Sequence, residues 1–258
     1  MPEIRQPLLP ATTGVTPMRA GGGIDAHWHE HHQIIYAGSG LLAVTTDAGS
    51  WIAPATRAIW LPAGTVHEHR AYGETTMHAV ALPIEDNPLG LSTPSALVVS
   101  SLLRELILAY TDGRYDEPIA GPASPVDQAE AAERDRLRAV LLDQLRHSSQ
   151  RPTHLPSPRD PRLAAVCAIL HEDPASNGTL ADLGKGIASE RTLSRLCRTD
   201  LGMTFPQWRT QLRLHLALRL LAEHHPVTAV AHQCGWSSAS AFIDVFRRAF
   251  GHTPGTHT

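Results

Sequence analysis

The chain has 258 residues, 42% of them apolar, and 22 Lys and Arg against 25 Asp and Glu give a net charge of −3. That length suits two domains, and the composition is ordinary for a globular protein. No window approaches ~18 consecutive apolar residues, which argues against a membrane-spanning helix. The opening MPEIRQPLLPATTG lacks the basic start and apolar run of a secretion signal. The cysteines, Cys167, Cys197 and Cys234, are far apart and odd in number. They suit a reducing cytoplasm and form no zinc ribbon, so a cytoplasmic location is expected.

Residues 1–23 are rich in Pro, Thr and Gly and predict an irregular arm. From Ile24 to about Pro83 the pattern is short β-like runs, such as QIIYAG, LLAVTT, WIAP, AIWLPAG and MHAVALP, broken by turn residues. Many closely spaced strands predict a small barrel or sandwich over residues 24–92. Ala96, Val99, Leu103, Leu106 and Tyr110 recur at helical spacing and predict a helix over 93–110. A loop is expected over 111–126. A second amphipathic helix follows over 127–147, with Leu137, Leu141 and Leu145 on one stripe. An apolar stripe on a charged helix needs a covering surface, so region 93–147 is expected to dimerise the chain, unless the chain's own barrel covers the stripe. Residues 148–160 contain three prolines and read as a linker.

Everything from 161 to 258 reads as helix. Thr179-Leu-Ala-Asp182 is a capping box, Ser189 can cap the next helix and Gly202 stops it. Thr204-Phe-Pro-Gln207 starts a long helix that runs to about Ala222. Pro226 opens a short helix ending at Gly235, and Ser237 or Ser238 opens a last helix that Gly251 closes. The order is short helix, turn, helix, connecting rod, then short helix, turn, helix. A rod roughly 28 Å long would set two recognition helices about one DNA turn apart. Charge agrees: residues 159–258 carry 11 Lys and Arg against 8 Asp and Glu, whereas residues 1–158 carry 11 against 17. A cationic face on a weakly charged protein suits phosphate contact.

The run QCGWSSASAFIDVFRRAFGHTPG resembles the second helix-turn-helix of AraC/XylS-type regulators. Gly235-Trp236, Ser237-Ser238, Phe242/Phe246 and Gly251/Pro254 carry the likeness. SERTLSRLCRTDLGMTFPQWRTQLRLHLAL is similar to that family's first recognition helix and connecting helix. The turn ahead of it, with Gly184 and Gly186, is longer than the usual family pattern. The resemblance implies sequence-specific binding to double-stranded promoter DNA, and contact with RNA polymerase if the protein activates. Arg191, Ser194, Arg195 and Arg198 of the first recognition helix are the expected readers. Ser238, Ser240 and Asp244 are their counterparts in the second, and Arg209, Arg213, Arg247 and Arg248 are expected at phosphates.

Sixteen histidines are present, and seven lie between residues 27 and 78. Gly21-x5-His27-x-His29-x3-Gln33-x6-Gly40 resembles the first cupin motif, with Gln in place of the usual Glu. Pro62-x-Gly64-x2-His67 is similar to the core of the second, with Thr56 and Ala71 where cupins carry Gly and Asn. The cupin likeness implies a barrel that senses a small molecule or metal ion. His27 and His29 on one strand, His67 from another and the neutral oxygen of Gln33 suit Zn, Ni, Fe or Co. His31, His32, His69 and His78 are expected around that set or at the surface, and Trp28, Trp51 and Trp60 in a pocket or in the core.

The expected fold is therefore α+β and multidomain: a cupin-like β-barrel plus helices, then an all-α double helix-turn-helix. The expected function is an effector-responsive transcription regulator, not an enzyme. The competing class is a metal-dependent cupin oxygenase or isomerase with an accessory DNA-binding domain; the missing Glu counts against it.

Overall fold

A computed structural model describes residues 8–113, 125–150 and 154–256. Parts of the expected arm, of loop 111–126 and of linker 148–160 lie outside those residues. Two compact bodies emerge: one within Met1–Thr46 and Ala53–Pro152, the other within Asp47–Ile52 and Thr153–Thr258.

The N-terminal body is an antiparallel sheet. Its strands are β1 (Gly14–Met18), β2 (Gly23–His27), β3 (His32–Thr46), β5 (Arg57–Leu61), β6 (His67–Leu82) and β7 (Ser95–Val98). β1 and β2 pair successive stretches of one edge of β6; β6 pairs β3, β3 pairs β5 and β5 pairs β7. Strand side chains alternate between faces. Ile34, Tyr36, Trp60, Val80 and Leu82 share one core cluster with helix α1 (Ser101–Thr111) and helix α2 (Pro125–Arg146). Gln33 and Ile35, with Met77 and Ala79, line a cavity of about 200 Å³ instead. One face is thus the helix-covered core and the other holds the site described below.

Two expectations change here. The arm contains β1, because Val15 and Thr16 favour strand and the free edge of β6 accepts them. The helix expected from residue 93 begins only at Ser101, capped by Ser100. Ala96 and Val99 fit a helical period, but Leu97 is buried in the pairing of β7 with β5, and that tertiary partner prevails. The Leu137/Leu141/Leu145 stripe is covered by the chain's own core, one of the two covers expected for it. Leu141 and Leu145 are fully buried against the chain's own Trp60, Leu97 and Ile107, with Leu137 packed beside them.

In the C-terminal body, β4 (Gly49–Ala53) pairs β8 (His154–Pro156), so the expected linker contains a strand. His154 stacks on Trp51 with ring centroids 4.2 Å apart. Six helices follow: α3 (Pro161–Glu172), α4 (Leu180–Leu183), α5 (Glu190–Asp200), α6 (Phe205–Ala222), α7 (Val227–Gln233) and α8 (Ala239–Phe250). Their ends follow the expected chemistry. Thr179 and Asp182 cap each other, Ser189 and Ser238 accept from backbone N–H groups three residues on, and Gly251 is left-handed at φ +85°. Leu163, Val166, Leu170, Leu193, Leu196 and Trp208 form one core of this body. Around α8, Phe242, Phe246 and Phe250 are buried as a ladder of rings.

Candidate functional site

Two sites stand apart, one in each body. In the N-terminal body, His27, His29 and His67 are buried and their ligand atoms lie within 4.8 Å of one another. β2 ends at His27, a turn at Glu30 and His31 follows, and β3 begins at His32. His29 therefore lies beyond the strand that carries His27, not on it as expected; the chain bends there, and β3 then brings Gln33 into the cavity that His27 and His29 line. His67 opens β6 and is the register partner of His27.

The orientation of each ring is set by the backbone. The Nδ1 atoms donate to carbonyls: His27 to Asp25 O at 2.6 Å, His29 to Leu9 O at 2.7 Å and His67 to Thr65 O at 2.8 Å. A carbonyl only accepts, so each Nδ1 carries the proton and each Nε2 keeps its lone pair. The Nε2 of His67 and the Oε1 of Gln33 are buried without a hydrogen-bond partner. An orphaned buried polar atom costs on the order of 1–3 kcal/mol, which a bound cation or donor would offset. Burial pushes the pKa of His67 down to about 4 and lowers that of His29. Both imidazoles are thus held neutral, as ligation requires.

Sequence reasoning underplayed His69. It is buried two residues along β6 from His67, with its ring 4.9 Å from that of His67 and 5.6 Å from that of His27. Its pKa lies well below the ordinary value, first because of burial, and its Nδ1 has no partner. The signal was present as a second His-x-His on a strand. The other histidines disperse. His32 is spent on structure, donating to Ile84 O and accepting from Ala63 N. His78 bonds Thr111, and His31 is exposed. Trp60 is a core residue and Trp51 packs in the C-terminal body; the cavity lining contains no tryptophan among the described residues.

In the C-terminal body, Arg191, Arg195 and Arg198 are exposed on α5, while Leu193 and Leu196 are buried. Arg198 donates to Ser194 at 3.2 Å. On α8, Ser240, Asp244, Arg247 and Arg248 are exposed; Arg247 pairs with Asp244 at 3.3 Å, and Ser238 is committed to the N-cap. Two of the arginines expected at phosphates are engaged within the protein. Arg209 is half-buried, over the Phe205 ring, and donates to Gly178 O. Arg213 is buried, and its guanidinium binds Pro174, Ala175, Ser176, Asn177 and Gly235. A helix-face argument could not foresee this, because the acceptors come from two loops distant in sequence.

Comparison with known proteins finds a match for each half of the chain. Residues 187–258 match the helix-turn-helix domain model and residues 14–83 match the cupin domain model. The HTH-type transcriptional regulator NimR of Escherichia coli is 32% identical over 235 residues, which is 90% of this chain and 81% of that protein. RipA of Corynebacterium glutamicum, also named an HTH-type transcriptional regulator, is 36% identical over 106 residues, covering 40% of this chain and 31% of RipA. A solved DNA-binding transcriptional dual regulator from Escherichia coli is 31% identical and covers 37% of this chain and 87% of its own, with a TM-score of 0.35. The chain therefore belongs to the AraC-type family of helix-turn-helix transcriptional regulators, with a cupin domain ahead of the DNA-binding half.

Proposed function

We propose that this regulator couples promoter binding to a divalent cation, or a small molecule, held in its cupin barrel. The observation that carries the reading is the convergence of the His27, His29 and His67 imidazoles, with the Nε2 of His67 unpartnered and Gln33, its Oε1 also unpartnered, lining a cavity with His27 and His29. His27, His29 and His67 would supply neutral nitrogens and Gln33 a neutral oxygen. That donor set suits Zn, Ni, Fe or Co better than Mg or Ca. A bound cation would supply positive charge beside the 200 Å³ cavity lined by His27, His29 and Gln33; the chain's own part is to fix the tautomers and, at His29 and His67, to keep the imidazoles neutral. An organic effector would occupy the same cavity, against Ile24, Ile35 and Met77.

Metal analysis of purified protein tests this at neutral pH. About one equivalent of a divalent metal is expected in the wild type and none in His67→Ala. His67→Ala should also change the promoter response of the full chain. Wild-type protein that retains no cation after incubation with Zn, Ni, Co or Fe(II) would remove the metal and leave the organic effector.

On the DNA side, exposed α5 is proposed to read bases. Arg195→Ala is expected to weaken binding to a specific promoter site by ~1–3 kcal/mol with an unchanged melting temperature. Operator affinity equal to wild type would take Arg195 out of the interface.

A further inference from the structure

Arg213 sits in the middle of α6, the helix that joins the two helix-turn-helix units. Its Nε donates to Pro174 O at 2.9 Å, and its Nη2 reaches Ala175 O, Ser176 O and the side chain of Asn177 at 2.9–3.2 Å. These acceptors belong to the loop between α3 and α4, in the first unit. Its Nη1 donates to Gly235 O at 3.0 Å, at the turn between α7 and α8 in the second unit. Every hydrogen-bond acceptor is neutral; the Asp173 carboxylate adds only a through-space attraction. What the guanidinium contributes is a planar fork wide enough to reach both loops at once.

A second, independent feature lies at the same point. Gly235 has φ +80°, and a Cβ there would fall 2.8 Å from the Cα of Ala175 and 2.7 Å from Nη2 of Arg213. The turn of the second unit therefore rests on the loop of the first, at van der Waals distance, around the fork.

We propose that Arg213, with Gly235 and Ala175, forms a joint that fixes the spacing and angle between the recognition helices α5 and α8. Arg213 touches no DNA in this scheme; it is a positioning residue. A rigid joint makes the second half-site contact intramolecular with the correct geometry already set, so affinity for a two-part operator depends on it. Contact with either half-site alone does not. The joint also sets specificity. One inserted base pair rotates the half-sites by ~34° about the duplex, which a rigid protein cannot follow.

The test uses the full chain and an operator duplex selected by the wild-type protein from random sequence. Wild type, Arg213→Met and Arg213→Lys are measured on that duplex, on each half-site alone and on a version with one base pair inserted between half-sites. Both variants are expected to lose about 100-fold on the intact operator, to bind half-sites within about twofold of wild type and to lose most of the insertion penalty. Lys is expected to fail like Met because it keeps the charge but not the span. Unchanged operator affinity and insertion penalty would overturn the proposal. So would half-site affinities that fall in proportion, since Arg213 would then serve only the fold. Should Arg213→Met not melt cooperatively, Gly235→Ala decides. It drives a methyl into the joint and leaves the guanidinium, and a wild-type spacing preference in that variant also overturns the proposal.

Discussion

Metal-free protein is expected to lose stability steeply as the pH falls from about 6.5 to 4. In an unfolded chain each histidine takes up its proton near 6.5. In the folded barrel His67 resists until about 4, and His29 and His69 are shifted the same way, all chiefly by burial. Between those limits the unfolded state binds more protons than the folded one, so every step down in pH favours unfolding. The loss amounts to ~1.4 kcal/mol per pH unit for a group in this window, or about 3 kcal/mol for His67 alone by pH 4. A domain whose whole stability is 5–15 kcal/mol cannot absorb several such groups. Urea titrations in chelator at pH 7.5, 6.5, 5.5 and 4.5 would show the midpoint falling, with a shallower fall in His67→Gln. A midpoint flat from 6.5 to 4.5 would mean that the cluster opens to water and is not the closed site described above.

Phe246→Ala is expected to cost ~3–5 kcal/mol and to abolish operator binding without removing a DNA contact. The ring is fully buried in α8, 5.6 Å from that of Phe242 and 4.6 Å from that of Phe250. A small helical unit has little other apolar area to repack around the void. The loss should appear as fast hydrogen exchange over α7 and α8, while the barrel strands keep wild-type protection. A penalty below about 1 kcal/mol would show that the ring ladder is not the cooperative core of the second unit.

The ends of the helices were legible in local chemistry. Thr179, Ser189, Ser238 and Gly251 announce helix ends by the hydrogen bonds or dihedral angles they alone make well, and each does so. The histidine cluster was legible because its spacing resembles a known motif. The failures share one cause. Arg213 reads as a phosphate contact from the resemblance, and Ala96 and Val99 read as helix from their spacing. Each was claimed by a partner 22 or more residues away in sequence. Single-sequence patterns show which face is apolar or charged, not what covers it.

The strand β8 has a practical consequence for dissecting the protein. Within the C-terminal body, Leu155 belongs to the same buried cluster as Leu163 and Trp208, and the indole N–H of Trp208 donates to Pro156 O at 3.1 Å. Residues 49–51 supply the pairing partner of β8. A fragment cut at residue 159, where the prolines invite it, would leave an indole unsatisfied and a hole where Leu155 was. Chimeras that graft this DNA-binding half onto another sensor should therefore carry residues 154–158 across the junction. Those that omit them should express poorly or aggregate, whatever sensor they are given.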